Sequence, residues 1–128
     1  KRDRDGIVHE FAKSRIIYNL HRLQKAVKEL MIVEGLPSVW WLDQAGFCNV
    51  VALMGSSCSE EQAAIIARFT TSETRIAVMP DRDDAGERFA HSAFERLGVQ
   101  RWMRWTGLQK GKQPTAYCRE DLNRMLCM

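Results

Sequence analysis

Apolar residues fall into short runs separated by amphipathic stretches. Four runs are typical of β-strands and lie at residues 30–33, 48–53, 75–79 and 99–103. The first three are nearly continuous in apolar residues, as expected of strands that are covered on both faces. The pattern therefore predicts a sheet of four strands with a buried centre.

The stretches between these runs have helical spacing. Apolar residues recur at this spacing before the first strand, at Ile16, Ile17, Leu20, Leu23 and Val27. Further helices are predicted near residues 39–43, from a capping box at 59–62 through 69, from a similar box at 84–87 to a stop at 98, and near 116–126. This alternation predicts an α/β fold with a four-stranded, mostly parallel sheet and helices on both faces.

Length and composition indicate an ordinary globular domain. The chain has 128 residues, 45% of them hydrophobic and 27% charged. We expect a single domain, with a leading basic, helical segment at 1–29, a core at 30–106, and a basic loop and final helix at 107–128. The missing initiator Met suggests that the chain was excised from a longer protein. No apolar run approaches the ~20 residues that a membrane span needs.

Two further features concern location and charge. The four cysteines form no C-x-x-C pair, which favours buried free thiols and a cytoplasmic protein. Residues 96–128 contain seven Lys or Arg and two acidic residues, while the rest of the chain is slightly acidic. This basic quarter would suit a phosphate-rich ligand, although a solvated charged face explains it equally well.

Three acidic residues fall where the predicted strands end. Glu34 follows the first strand, and Asp81 and Asp83 follow the third. Ligands of open parallel sheets bind at the carboxyl ends of the strands. Like charges ~4–5 Å apart repel by roughly 3–4 kcal/mol, and a bound Mg²⁺ or Mn²⁺ reverses that sign. We therefore predict a divalent-metal site formed by Glu34, Asp81 and Asp83.

A simpler interpretation treats Asp81 and Asp84 as helix N-caps and Glu34 as a solvated side chain. Gly35 and Gly86, beside the acidic residues, favour the metal site instead, because glycine lets a bulky polyanion approach the backbone. We also expect such an approach at Gly55, which follows the second strand.

Several motifs occur in the order found in one family. Val33-Glu34-Gly35, the stretch from Ala45 to Gly55, and the run Asp81-Arg82-Asp83-Asp84-Ala85-Gly86 together resemble a Toprim domain. Within that group the chain is most similar to bacterial replicative DNA primases. Residues 11–20 resemble the segment before the primase glutamate, and Gly111-Lys112-Gln113-Pro114 resembles a later Gly-Lys-Asp-Pro element.

The resemblance implies a Rossmann-like fold and a nucleotidyltransferase that makes RNA primers in DNA replication. It assigns acid/base work or metal contact to Glu34, and metal binding to Asp81 and Asp83. We expect phosphate contacts from a basic set that comprises Lys13, Arg15, Arg82, Lys110 and Lys112. The implied partners are single-stranded DNA or RNA and nucleotides, with helicase or other replication proteins contacted through other regions, and no membrane.

The chain departs from the primase pattern at three positions. Ser38, Gln113 and Thr115 stand where primases have aspartates, which predicts a weakened second metal site. Two alternatives therefore stay open: a small Toprim nuclease, and a degenerate domain that binds nucleic acid or a partner protein. A phospho-acceptor signalling domain fits poorly, because it needs an acidic pair after the first strand.

The four tryptophans allow two interpretations. Trp40, Trp41, Trp102 and Trp105 could stack on bases, although packing in the core or at a sheet edge is the commoner role. Trp102 and Trp105 alternate with Arg101 and Arg104, which keeps base stacking open at this strand.

Overall fold

The computed structural model describes residues 16–23, 27–99 and 101–126. Its strands are β1 (Glu29–Val33), β2 (Val50–Ala52), β3 (Arg75–Val78) and β4 (Trp102–Trp105). Its helices are α1 (Leu36–Gln44), α2 (Glu60–Phe69), α3 (Asp84–Leu97) and α4 (Arg119–Leu126), with 3₁₀ turns at Leu20–Arg22 and Pro114–Ala116. The predicted α/β alternation is confirmed from β1 onward.

The four strands form one parallel sheet in the order β2-β1-β3-β4. β1 and β3 are therefore central, and the runs that form β1 and β2 are almost wholly buried, as their apolar sequences predict. Since all strands run in one direction, their carboxyl ends share one edge of the sheet. The segments after β1 and β3 leave from neighbouring positions on that edge.

Apolar side chains pack on both faces of the sheet. On one face, Leu30, Ile32 and Ile76 join residues of α2 and α3, including Ile66 and Phe89. On the other, Met31 and Val33 join a cluster to which α1 and α4 contribute Val39, Leu42 and Leu122. This three-layer arrangement confirms the predicted fold class.

Two helix starts follow from local sequence. The Ser59 hydroxyl accepts the N–H of Gln62, and the Gln62 side chain accepts the N–H of Ser59, so the predicted capping box opens α2. In α3 the cap lies one residue earlier than predicted. Asp83, not Asp84, is the N-cap, because its carboxylate accepts the Gly86 N–H at 2.7 Å.

The predicted first helix is wrong within the described residues. Tyr18 instead forms an antiparallel bridge with Ala52, and Asn19 has a left-handed φ of 75°. The buried Asn19 amide donates to the Val50 carbonyl at 3.0 Å, so this segment covers the outer edge of β2. The apolar spacing predicted burial, since Ile17, Leu20, Leu23 and Val27 pack on the α2/α3 face, but it misassigned the backbone.

The fourth strand begins later than predicted. The Arg101 guanidinium donates to the Thr70 hydroxyl and to the Ala67 carbonyl, both at 2.9 Å, and so ties the chain to the end of α2. Pairing with β3 starts at Trp102, and Val99 remains exposed. The final predicted helix divides into the 3₁₀ turn at Pro114–Ala116 and α4.

The structure bears on the predictions about the cysteines and about membrane spans. Cys48, Cys58 and Cys118 carry free thiols, but only Cys58 among these three is buried. Within the described ranges, none of the helices has both the length and the hydropathy that crossing a membrane requires.

Candidate metal centre

Glu34 and Asp81 lie together at the carboxyl edge of the two central strands. Glu34 directly follows β1, and Asp81 comes three residues after the end of β3. The backbone N–H of Asp81 donates to Glu34 Oε2 at 2.7 Å. This bond holds the glutamate against the loop after β3, as the parallel pairing of β1 with β3 allows.

Burial and neighbouring negative charge oppose the ionisation of Glu34 and of Asp81. Burial, together with the charges of Asp81 and Asp83, raises the pKa of Glu34 from 4.5 to about 7, although the bond from the Asp81 N–H works against this. Burial and the charge of Asp83 also raise the pKa of Asp81. The charged forms of both carboxylates are therefore disfavoured, and a cation at this edge would stabilise them.

Asp83 has a structural role as well. Its carboxylate caps α3 at Gly86, and its own N–H donates to the Asp81 carbonyl at 2.9 Å. The side chain is exposed, and one of its oxygens is engaged by the helix. The N-cap of α3 is therefore Asp83, and not Asp81 or Asp84 as the simpler interpretation has it.

The predicted convergence of three carboxylates is only partly present. Within the ranges that the structure describes, no group of three or more His, Cys, Asp or Glu side chains is arranged to hold a metal ion. Glu34 and Asp81 are in contact, while Asp83 is turned toward the start of α3. The chemistry of the donors still suits a hard cation, since oxygen ligands with unrelieved negative charge are what Mg²⁺ and Mn²⁺ prefer.

The three glycines differ in what surrounds them. A Cβ at Gly86 would lie 1.8 Å from the Asp81 carbonyl oxygen, whereas one at Gly55 would meet nothing within 4 Å. At Gly35 the nearest atom would be Pro37 Cδ at 3.7 Å. Close packing of α3 against the Asp81 backbone therefore requires Gly86. Approach of a polyanion to the three glycines stays a prediction.

A basic loop, residues 107–113, is attached to the acidic segment. The Arg82 N–H donates to the Lys112 carbonyl at 2.8 Å, and the Gly111 N–H donates to the Arg82 carbonyl at 3.0 Å. The Arg82 guanidinium adds a bond of 3.3 Å to the Leu108 carbonyl. These bonds bring the backbone of the loop beside the Asp81–Asp83 segment, and phosphate binding by Arg82, Lys110 and Lys112 stays a prediction.

Tyr117 organises this loop, which sequence reasoning missed. Its hydroxyl accepts the Gln109 N–H at 2.8 Å, its carbonyl accepts from the Trp41 indole at 2.6 Å, and Lys112 Nζ lies 5.7 Å from its ring centroid. A single buried tyrosine after a polar loop carries no periodic signal. The sequence pattern therefore gave no indication of its role in this loop.

The remaining predicted site residues lie in varied surroundings. Gln113 is exposed and directly follows Lys112, Thr115 is half-buried in the 3₁₀ turn, and Ser38 is buried in the first turn of α1. Lys13 and Arg15 lie outside the described residues.

A parallel α/β sheet with a glutamate after one central strand and two aspartates after the other defines a Rossmann-like domain with an acidic carboxyl edge. The family model for the Toprim domain matches residues 28–103. The chain belongs to the Toprim domain family. The resemblance inferred from its motifs is thereby confirmed.

The chain is similar to several DNA primases. It is 37% identical over 91 residues to the DNA primase of Mycoplasma genitalium, an alignment that covers 70% of this chain and 15% of that protein. A DNA primase domain from Pseudomonas aeruginosa has a TM-score of 0.73 and 29% identity, over 89% of this chain and 38% of that one. A DnaG primase catalytic domain bound to ssDNA has a TM-score of 0.73 and 25% identity, over 91% and 39%.

The chain is therefore similar to part of the catalytic core of DNA primases. It spans about 13–15% of the length of the curated relatives that it matches. These comparisons favour a primase-like interpretation over a Toprim nuclease.

Proposed function

We propose that this chain is the Toprim part of a primase that joins ribonucleotides on a single-stranded DNA template in the cytoplasm. The observation that carries the proposal is the contact between Glu34 and Asp81 at the carboxyl edge of the central strands. Substrates of open parallel sheets bind at this edge. The likeness to primases over most of the chain supports the same assignment.

The proposed reaction forms one phosphodiester bond for each nucleotide added. A ribose hydroxyl attacks the α-phosphorus of a nucleoside triphosphate, the bond to pyrophosphate breaks, and the hydroxyl proton is released. Glu34, Asp81 and Asp83 would hold a divalent cation, Mg²⁺ or Mn²⁺. That cation would neutralise the charge that develops on the attacking and leaving oxygens.

The residues around the acidic edge have separate tasks in this proposal. The Asp81 N–H orients the Glu34 carboxylate, and the bond from Gly86 to Asp83 fixes the start of α3. Arg82, Lys110 and Lys112 would contact the phosphates of nucleotide or template. Hydrogen bonds to both the N–H and the carbonyl of Arg82 hold the loop 107–113 next to it. Lys13 and Arg15 are proposed for the same role from the sequence resemblance alone.

A second metal site is expected to be weak. Ser38, Gln113 and Thr115 supply neutral oxygens where the primase pattern has carboxylates, and neutral oxygens bind hard cations less tightly. Isothermal titration of the chain with Mn²⁺ should show one tight site, with any second site at least about tenfold weaker. Two sites of equal affinity would contradict this expectation.

Primer synthesis tests the proposed function directly. The chain is incubated with a single-stranded DNA template, labelled ribonucleotides and Mn²⁺, and the products are separated on a gel. Asp81→Asn should lower the yield of primer by at least about a hundredfold, because several kcal/mol of charge stabilisation would be lost. Asp84→Asn is the matched control, since Asp84 is an exposed residue in the first turn of the same helix.

The outcomes separate the proposed function from its alternatives. Cleavage of the DNA without nucleotides would instead favour a Toprim nuclease. Nucleic-acid binding without any primer product, at an affinity that Asp81→Asn leaves unchanged, would instead favour a degenerate nucleic-acid-binding domain. The neutral residues at 38, 113 and 115 are the sequence feature that supports this alternative. Either result would overturn primase chemistry for this domain.

A further inference from the structure

A groove lies at the amino end of the sheet, opposite the acidic edge. Its volume is about 540 Å³, within the range of small-molecule sites. Among the described residues that line it, Leu126 is the only one that belongs to a helix. The groove therefore exposes part of the sheet face that α1 and α4 cover further along the strands.

The register of the strands explains which side chains line the floor. Glu29, Arg75 and Trp102 are paired across β1, β3 and β4, and the next row on the same face is Met31, Ala77 and Arg104. The first row is exposed, and the second is progressively covered toward the centre of the sheet. These two rows thus bring two guanidinium groups, one carboxylate and one aromatic ring to the floor of the groove.

Trp102 is poorly packed for a large apolar side chain. It keeps 55% of its surface exposed, although it lies within a strand of the sheet. The Arg75 guanidinium carbon stands 5.8 Å from the centroid of its ring, which places a positive charge beside an aromatic face. Trp105, by contrast, contacts His91 and Phe94 of α3, on the other face of the sheet.

The second arginine is held toward the groove by the fold. Arg104 Nη2 donates to the Leu126 carbonyl at 2.9 Å, so its guanidinium is fixed at the wall of the groove. Two cations against one carboxylate make the groove weakly attractive to phosphate. The Glu29 carboxylate could accept hydrogen bonds from the amino groups of a base.

We propose that this groove binds single-stranded nucleic acid, with one base stacked on Trp102 and the adjoining phosphates at Arg75 and Arg104. Exposed aromatic rings beside arginines provide the stacking and charge that sequence-tolerant binding of single strands uses. An interface with a protein would also bury Trp102, but a single strand brings a phosphate next to every stacked base, which matches a groove with two guanidinium groups and one carboxylate. Charge complementarity therefore favours the nucleic acid.

The groove would act together with the acidic edge only if the proposed function holds. β1 has five residues, so the two sites lie about 15 Å apart along the sheet, at ~3.3 Å per residue. In that case the groove would hold template some distance from the point of synthesis. Binding in the groove needs no cation, which allows it to be tested separately from catalysis.

The experiment measures the affinity of the full chain for an eight-nucleotide single-stranded DNA in EDTA, by fluorescence anisotropy of a labelled oligonucleotide. Trp102→Leu should raise Kd by about tenfold or more, and Trp102→Phe should restore much of the affinity because it keeps an aromatic face. Trp40→Leu is the matched control, since Trp40 is also exposed, at 52%, and does not line the groove. Arg75→Gln should weaken binding and reduce its dependence on salt.

Each other outcome overturns the proposal. Equal loss of affinity in Trp102→Leu and Trp40→Leu would mean that the groove has no special role. Unchanged affinity in Trp102→Leu, or binding of free ATP as tight as that of the oligonucleotide, would also refute it. So would a dimer in sedimentation that Trp102→Leu dissociates. Failure of primer synthesis alone would leave the groove result intact, so the two proposals fail separately.

Discussion

Replacing Gly86 with alanine should damage both the stability of the fold and the acidic edge. The new Cβ would stand 1.8 Å from the Asp81 carbonyl oxygen and 2.8 Å from its carbonyl carbon. That same oxygen accepts the N–H of Asp83 at 2.9 Å. The substitution therefore forces the start of α3 away from the segment that carries both aspartates.

The size of the effect can be worked from this contact. A Cβ is essentially never found within 3.0 Å of such an atom, so the gap must open by more than about 1.2 Å. Overpacking of this kind typically costs about 1–3 kcal/mol. Alanine recovers up to about 1 kcal/mol through its higher helix propensity. We expect a net loss of about 1–2 kcal/mol, which lowers Tm by about 3–10 °C for a domain of this size.

Gly55→Ala supplies a control with the opposite sign. Its Cβ would meet nothing within 4 Å, and the backbone at Gly55 lies outside the left-handed region. Alanine there should stabilise the fold by about 0.4–1 kcal/mol, because it restricts the unfolded chain. The comparison of the two variants separates the contact at residue 86 from the general effect of replacing glycine.

Thermal unfolding followed by circular dichroism measures both variants, with and without Mn²⁺. Gly86→Ala should have a lower Tm than the wild type, and Mn²⁺ should raise that Tm by less than it raises the Tm of the wild type. Gly55→Ala should have a Tm equal to or above that of the wild type, and Mn²⁺ should raise it by the same amount as in the wild type. The reasoning is refuted if Gly86→Ala unfolds at the wild-type temperature with an unchanged response to Mn²⁺.

Two further predictions concern the carboxyl edge and its loop. In EDTA, the folded chain holds a proton on Glu34 that the unfolded chain loses near pH 4.5, so stability should fall as pH rises toward and through about 7. Glu34→Gln should flatten this decline in Tm measurements between pH 5 and 8, and an unchanged slope would exclude Glu34 as its source. Tyr117→Phe removes the acceptor of the Gln109 N–H and should cost about 0.5–1.5 kcal/mol in urea unfolding. A urea midpoint equal to that of the wild type would show that this hydrogen bond does not stabilise the loop.

The sequence predicted most where apolar runs and capping chemistry agree. β1, β3 and α2 were predicted within one or two residues, because their buried positions and the Ser59 capping box act locally. The placement of Glu34 and Asp81 at one edge followed from parallel strands alone. Those parts of the fold depend on short-range patterns that a single sequence contains.

What the sequence could not predict depends on contacts between distant segments. The segment at 16–23 has helical apolar spacing, yet the exposed edge of β2 offered Tyr18 backbone partners that a helix would not use. β4 began at Trp102 because Arg101 is anchored to the end of α2. The bonds that attach loop 107–113 to Arg82 join residues about 25–30 positions apart. They use backbone groups, which nearly every residue type carries, so the sequence gives no sign of them.

The order of the strands also bears on how the chain opens. Glu34 and Asp81 leave from β1 and β3, each of which has a strand on both sides, while β2 and β4 lie at the edges. Amide hydrogen exchange is commonly slowest in such central strands, since they open only with the whole domain. Glu34 and Asp81 would then stay next to each other while the outer strands β2 and β4 open. Local opening of the domain would detach β4, which carries Trp102, well before it separated the carboxylates.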